Sequence, residues 1–297
     1  MINESIIFDD HVYKSNLSNL KKSPTFSKAF RFFYRNRKEI RELKKYYNEI
    51  FKNDLSFFKK INDEKYIQNV NVNLIHEISN YLLLRCFSVT DLGILKGKMG
   101  IIIFLFHYSK HINSDQYEEL TRLLLDDLCN SLNSEMSYSF ESGLSGIGWG
   151  IQYLFLQNFI SGDINEILED FDNEIIKIDF HKMENLSLNI GLGGIVQYIN
   201  ARLYAIITLS LNNPFEESYL RSLYLKLEKI VENDEIDTDS IDIFVNYIMF
   251  YKNEYKLKVP SIYDVTNLDF PKDYSIRKYN LGLNGTANVG LKLIMEA

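Results

Sequence analysis

The sequence predicts an all-α fold, a double ring of helical hairpins, and three observations predict it. First, 13 of the 14 glycines fall into four clusters: Gly93, Gly97 and Gly100; Gly143, Gly146, Gly148 and Gly150; Gly191, Gly193 and Gly194; and Gly282, Gly285 and Gly290. Second, aligned on Gly-x-x-Gly before a β-branched residue, these clusters become copies of one repeat. The copies are Gly97-Lys-Met-Gly100-Ile101, Gly143-Leu-Ser-Gly146-Ile147 and Gly191-Leu-Gly-Gly194-Ile195, followed by two decayed ones, Asp237-Thr-Asp-Ser240-Ile241 and Gly285-Thr-Ala-Asn288-Val289. Their starts lie 46, 48, 46 and 48 residues apart, a period that marks a helical hairpin burying its apolar face only against its neighbours. Third, amphipathic helices alternate with helices that are apolar almost all round; the former belong outside and the latter inside.

The elements follow in order. Residues 1 to 24 read as an irregular lead, with Ser23-Pro24 a helix start. From Phe26 to about Ile61 the composition is helical and basic, and a further helix covers about Val72 to Phe87, with a stripe of Leu74, Ile75, Ile78, Leu82 and Leu83. Outer helices are expected at Ser114–Leu132, Ile164–Ile178 and Phe215–Val231. Inner helices are expected at Gly100–His111, Ile147–Phe159, Gly194–Leu209, Ser240–Tyr251 and Val289–Met295. Glycines before the inner helices permit positive φ and close approach of backbones; Asp237 and Ser240 replace them as N-cap residues. Pro260 to Asn280 carries two prolines and reads as an ordered loop instead of an outer helix.

Composition sets the limits of function. An apolar share of 46% with 14% aromatic residues supplies a sizeable core, and four prolines without a Gly/Ser-rich linker argue for one ring over residues 66–297 with an extension over 1–65. The net charge of −7 conceals a basic segment: Lys14 to Lys60 holds 14 Lys or Arg against four acids, leaving about −17 on the rest. Arg35, Lys38 and Arg41 are the candidate partner-binding residues there. Two cysteines, Cys86 and Cys129, lie in separate helical segments, as in a chain kept reduced in the cytoplasm. No signal arrangement is present, and the longest apolar run, Ile101 to Phe106, is too short to span a bilayer. No nucleic-acid role is expected.

Over about residues 66 to 297 the chain resembles the lanthionine synthetase C-like family, whose inner helices begin with repeated Gly-x-x-Gly turns. Gly143-Leu-Ser-Gly-Ile-Gly-Trp-Gly-Ile-Gln-Tyr-Leu154 is especially similar to a family repeat, and Gly285-Thr-Ala-Asn-Val-Gly-Leu-Lys-Leu293 to the closing one. The resemblance implies an α/α toroid, typically of seven inner and seven outer helices; five inner helices are legible here, so the ring is a shortened version. It also implies zinc-assisted addition of a peptide cysteine thiol to a dehydroalanine or dehydrobutyrine. In the family the metal is held by a cysteine just before one repeat glycine and a Cys-His pair just before another. The corresponding positions are Leu95 and Lys96, Glu141 and Ser142, Asn189 and Ile190, Glu235 and Ile236, and Leu283 and Asn284, and none is Cys or His.

The expectation is therefore a protein of peptide maturation without zinc or another cofactor, partnered by a precursor peptide or a peptide-modifying enzyme. The alternatives are a divergent cyclase, a carbohydrate-active toroid and a pure scaffold. Several inner-helix N-termini converging at one mouth would offer free N–H groups to a carboxylate, phosphate or carbonyl. Candidate binding residues at that mouth are Glu141, Ser142, Trp149, Gln152, Asn189, Gln197, Asp237, Asp239 and Asn284. The turn glycines Gly97, Gly100, Gly143, Gly146, Gly191, Gly194 and Gly285 are structural. Trp149, the sole tryptophan, reads first as a core residue and second as a stacking platform. Glu141 with Asp237 or Asp239 is the acid/base pair a glycoside hydrolase would use. His107 and His111, four apart on one helix, have metal-like spacing, but at the end away from the mouth; interaction with the helix dipole is the preferred account.

Overall fold

The computed structural model describes residues 70–86, 88–133, 135–233, 238–266 and 280–296. The basic extension, with Arg35, Lys38 and Arg41, and Asp237 lie outside them, as does the side chain of Asp239. Among the described residues the secondary structure is helical: α1 (Val70–Cys86), α2 (Lys98–His111), α3 (Asp115–Asn130), α4 (Leu144–Leu156), α5 (Ile164–Ile176), α6 (Leu192–Leu209), α7 (Glu217–Glu232), α8 (Thr238–Tyr251) and α9 (Thr286–Glu296). The inner helices are α2, α4, α6, α8 and α9. They pack side by side in the spatial order α9, α2, α4, α6, α8, while α3 lies on α2, α5 on α4, α7 on α8, and α1 on both α9 and α2. The final helix thus returns to sit beside the first inner one. This is the α/α toroid that the repeat predicts, with five inner helices among the described residues.

Inner and outer helices start differently. The outer α3 and α5 are capped by side chains, Ser114 Oγ accepting from the Tyr117 amide and Asp163 from the amides of Asn165 and Glu166, which suits partly exposed helix ends. The inner helices α2, α4, α6 and α9 are capped by backbone. The amides of Lys98, Leu144 and Leu192 donate to the carbonyls of Asp91, Ser137 and Asn185, each seven residues back. In the last copy the loop is one residue shorter, Thr286 donating to Asn280. The next amides continue the pattern, Met99 to Leu92, Gly193 to Leu186 and Ala287 to Leu281.

Two expectations are corrected by this geometry. The inner helices begin right after the first glycine of each copy, so Gly97, Gly143 and Gly191 are N-caps and the second glycine lies in the first turn. Nor do the glycines use positive φ: Gly97, Gly143 and Gly191 are extended, with φ of −120°, −123° and −117°. Among the described residues only Gly162, outside every cluster, has a glycine φ above zero. What the repeat needs is room. A methyl group added at Gly97, Gly143, Gly191 or Gly285 would sit 2.0–2.4 Å from the carbonyl oxygen of Asp91, Ser137, Asn185 or Asn280. At Gly100, Gly146 and Gly194 it would meet the carbonyls of Ile94, Phe140 and Leu188 at 2.2, 1.8 and 2.5 Å. Loop and helix are packed backbone to backbone, a distance only glycine allows.

Inner and outer rings are joined by a buried polar cluster. Arg202 of α6, fully buried, donates Nη2 to Asp172 Oδ2 of α5 at 2.6 Å, Nη1 to Gln152 Oε1 of α4 at 3.1 Å and Nη2 to Asn165 Oδ1 at 3.0 Å; Tyr198 Oη donates to Asp172 Oδ1 at 2.6 Å. Burial pushes the Asp172 carboxyl up, while the bonds from Arg202 and Tyr198 pull against it. Gln152, expected at the mouth, is consumed here by a structural bond. The rest of the core is mainly apolar, led by Trp149, Tyr108, Tyr247, Phe104, Phe106, Phe140, Phe171 and Phe244. Helix α6 is the only one among the described residues long and apolar enough to cross a membrane, and 78% of it is buried inside the fold.

Candidate functional site

The rim formed by the repeat turns is a hydrogen-bonded belt. Asn284 and Leu283 amides donate to the carbonyls of Leu95 and Ile94, the Leu95 amide to Glu141, and the amides of Phe140 and Glu141 both to Asn189. The belt runs through the turns of α9, α2, α4 and α6 in the order in which those helices pack. Four expected binding residues are members of it. Glu141 pairs its carboxylate with Lys96 Nζ at 2.9 Å, Ser142 Oγ donates to Asp91 Oδ2 at 2.6 Å, and the backbones of Asn189 and Asn284 are bonded as above.

The preceding loops take up the amides of Lys98, Met99, Leu144, Leu192, Gly193, Thr286 and Ala287, so these groups are not open to a ligand in the way the anion-binding mouth requires. Glu141, one half of the carboxylate pair that a hydrolase would need, has Lys96 as its ionic partner.

A separate candidate site is the cavity bounded by the inner helices α4, α6 and α8, called the lumen below. The cavity, about 230 Å³, is lined by Trp149 of α4, Gln197, Asn200 and Ala201 of α6, Asp242, Ile243 and Asn246 of α8, and Lys258, Pro260, Tyr263 and Asp264. The last four belong to the segment after α8. Leu257, Pro260, Ile262 and Val265 bury themselves in the fold, and a capping box between Ser261 and Asp264 shapes a short 3₁₀ turn over Ile262–Asp264. Within the loop expected from Pro260 onwards, residues 260–266 close one side of the lumen; residues 267–279 lie outside the described ones.

The lumen wall is polar at its deepest point. Gln197 is only 7% exposed, and its side chain lines the cavity. Asn200 donates Nδ2 to the Ile243 carbonyl at 3.1 Å, leaving Oδ1 buried without a partner, and Trp149 Nε1 is likewise buried and unpartnered. Asn246 Oδ1 accepts from the Lys258 amide at 3.3 Å, tying the closing segment to α8. The Trp149 ring is stacked on Tyr153, with centroids 5.3 Å apart and planes 9° from parallel. It is a core residue whose ring also walls the lumen.

Of the seven predicted binding residues whose side chains are described, the structure brings Trp149 and Gln197 to this cavity; Asp237 and the side chain of Asp239 lie outside the described residues. Asn200, Asp242, Asn246, Lys258, Tyr263 and Asp264 were missed. The signal for the helical ones is present: Gln197 and Asn200 stand three apart, and Asp242 and Asn246 four apart, so each pair marks one polar stripe on an otherwise apolar inner helix.

His107 bonds through Nε2 to Tyr153 Oη at 2.8 Å and packs edge-on to Phe159, whereas His111 is exposed. Burial, aided by Lys110, lowers the His107 pKa from 6.5 to about 4. A neutral ring cannot complement the helix dipole as a cation, so that account is withdrawn for His107. The native state resists a proton that the unfolded chain accepts below pH 6.5. Stability held above that pH is lost as pH falls towards 4, by about 3 kcal/mol if the full shift is realised. Urea denaturation between pH 7 and 4.5 is expected to show a flatter pH dependence for His107→Phe than for the parent chain. Equal slopes would show that His107 titrates normally.

The donor set that the family's zinc requires is not assembled among the described residues, where no three His, Cys, Asp or Glu side chains converge. Cys86 and Cys129 are buried on α1 and α3; Cys86 Sγ donates to the Leu83 carbonyl, and burial drives the Cys129 thiol well above its ordinary pKa, the opposite of what a zinc thiolate needs.

No curated protein and no solved structure matches this chain. A family model does: that of the lanthionine synthetase C-like proteins matches residues 88–253, more than half the chain, from before α2 to just after α8. At the family level this ties the protein to lanthipeptide-type modification. With its glycine-started inner helices, backbone-capped turns and two-ring packing, the chain belongs to the lanthionine synthetase C-like family.

Proposed function

We propose that this protein is a zinc-free, non-catalytic member of its family that holds a precursor peptide, or the enzyme modifying it, during maturation of a ribosomally made peptide. The observation that carries this reading is the character of the lumen. Its inner wall carries the neutral side chains Gln197, Asn200, Asn246 and Trp149, and no histidine is among the residues that line it. Such a wall binds polar peptide groups without activating a thiol. The basic segment from Lys14 to Lys60, with Arg35, Lys38 and Arg41, supplies the electrostatic attraction for an acidic leader or enzyme surface.

The test uses a fluorescein-labelled synthetic peptide carrying an acidic leader, one cysteine and one dehydroalanine, with the full chain supplied with zinc. Anisotropy is expected to show saturable binding, weakened at least about tenfold by the triple change Arg35→Glu, Lys38→Glu and Arg41→Glu, since several screened charges act together. Mass spectrometry after thiol alkylation is expected to show the thiol consumed no faster than without protein. Stoichiometric zinc and accelerated ring closure would overturn the reading in favour of a divergent cyclase.

A further inference from the structure

We propose that the lumen cavity is a carboxamide-reading pocket, which takes the side chain of an asparagine or glutamine from the bound peptide. The inference rests on the peptide-binding reading above and names the group that enters the ring. Three observations lead to it. Gln197 is nine-tenths buried and lines the cavity. A primary amide at a cavity wall can donate and accept at once towards a group that enters. Second, the other deep groups have the same mixed character: Asn246 keeps its Nδ2 after Oδ1 accepts from Lys258, and Asn200 Oδ1 and Trp149 Nε1 are an unmatched acceptor and donor. Third, the charged groups of the lining, Asp242, Lys258 and Asp264, are of both signs, so neither a carboxylate nor an ammonium gains a matched counter-charge without also meeting a like one.

A carboxamide is the ligand group that is neutral and planar and that donates and accepts at once. Against Gln197 it can form a reciprocal amide pair, while a thioether or alkyl side chain leaves Gln197 as it was. The cavity, about 230 Å³, is smaller than the pockets that enclose drug-sized molecules, which suits one side chain of an extended peptide. Pro260 and Tyr263 on the closing segment limit the depth to which the rest of a peptide can follow.

Trp149 is the only tryptophan in the chain and lines this cavity, so its emission reports occupancy. The full chain is titrated with three near-isosteric probes: N-acetylglutamine N-methylamide, the glutamate analogue and the methionine analogue. A saturable emission change is expected for glutamine, with binding at least about tenfold weaker for the other two, because a buried amide left unpaired discriminates strongly. Gln197→Leu, close in volume, is expected to abolish the glutamine preference. Asn246→Ala, at the half-buried edge, is expected to weaken it and serves should Gln197→Leu fail to fold by circular dichroism. Equal responses to all three probes, or none, would overturn the pocket. The two proposals fail separately. If the labelled peptide binds but the glutamine probe does not, the carboxamide pocket is wrong and the peptide reading stands; if no peptide binds, the peptide reading is wrong.

Discussion

Gly146→Ala is expected to destabilise the fold by more than about 3 kcal/mol, at the upper end of overpacking effects, because the new methyl has no flexible neighbour to displace. It would lie 1.8 Å from the Phe140 carbonyl oxygen, which is backbone of the same turn, and 2.7 Å from Ile94 of the adjacent one. Moving Phe140 would also disturb its amide, which donates to Asn189 in the rim belt, so the strain spreads from α4 towards α6. Urea denaturation measures the effect. The contrast is with Lys96→Ala, which removes a half-exposed ion pair at the same rim and is expected to cost less than about 1 kcal/mol. In an ordinary helix the same Gly→Ala change raises stability by up to about 1 kcal/mol. A stabilised Gly146→Ala protein would show that the turn does not require the close approach.

Arg202→Met is expected to cost about 3–5 kcal/mol, the usual penalty for removing one partner of a buried ion pair. The change strands Asp172, 2% exposed, with only Tyr198 to bond it, and frees Gln152 and Asn165. Replacing both charges, Arg202→Met with Asp172→Leu, is expected to recover much of the loss, because no ion is then left in the apolar interior. The deficit of the single variant is also expected to shrink as pH falls, since protonation neutralises the stranded carboxyl whose pKa burial already raises. Denaturation curves at two pH values for the parent, single and double proteins decide it. A single variant within about 1 kcal/mol of the parent would mean the cluster adds little to the joining of the rings.

The fate of the predicted binding residues shows where sequence reasoning stops. Glu141, Ser142, Asn189 and Asn284 have the right position beside the turns, yet the belt uses their backbones or their side chains for turn-to-turn bonds. Gln152 lies just over two turns into its helix, on the inner ring as a lumen residue would, but faces Arg202, 50 positions away in sequence. Gln197 and Trp149 reach the cavity because their helix faces turn inwards. Which face turns inwards is not written in a helix that is apolar nearly all round, since such a helix has little amphipathic contrast to orient it.

What the sequence determined by itself is the architecture. A period of 46 to 48 residues, the glycine steps and the alternation of amphipathic with apolar helices are local signals, and each repeat can be folded only against copies of itself. The tertiary structure alone decided the role of the glycines, the closure of the helix N-termini and the place of the site. These depend on which carbonyl meets which amide across loops and on a segment, Leu257 to Val265, that returns from beyond α8 to wall the lumen. Contacts between residues so far apart in the chain carry no local pattern. They arise only when the ring brings them together.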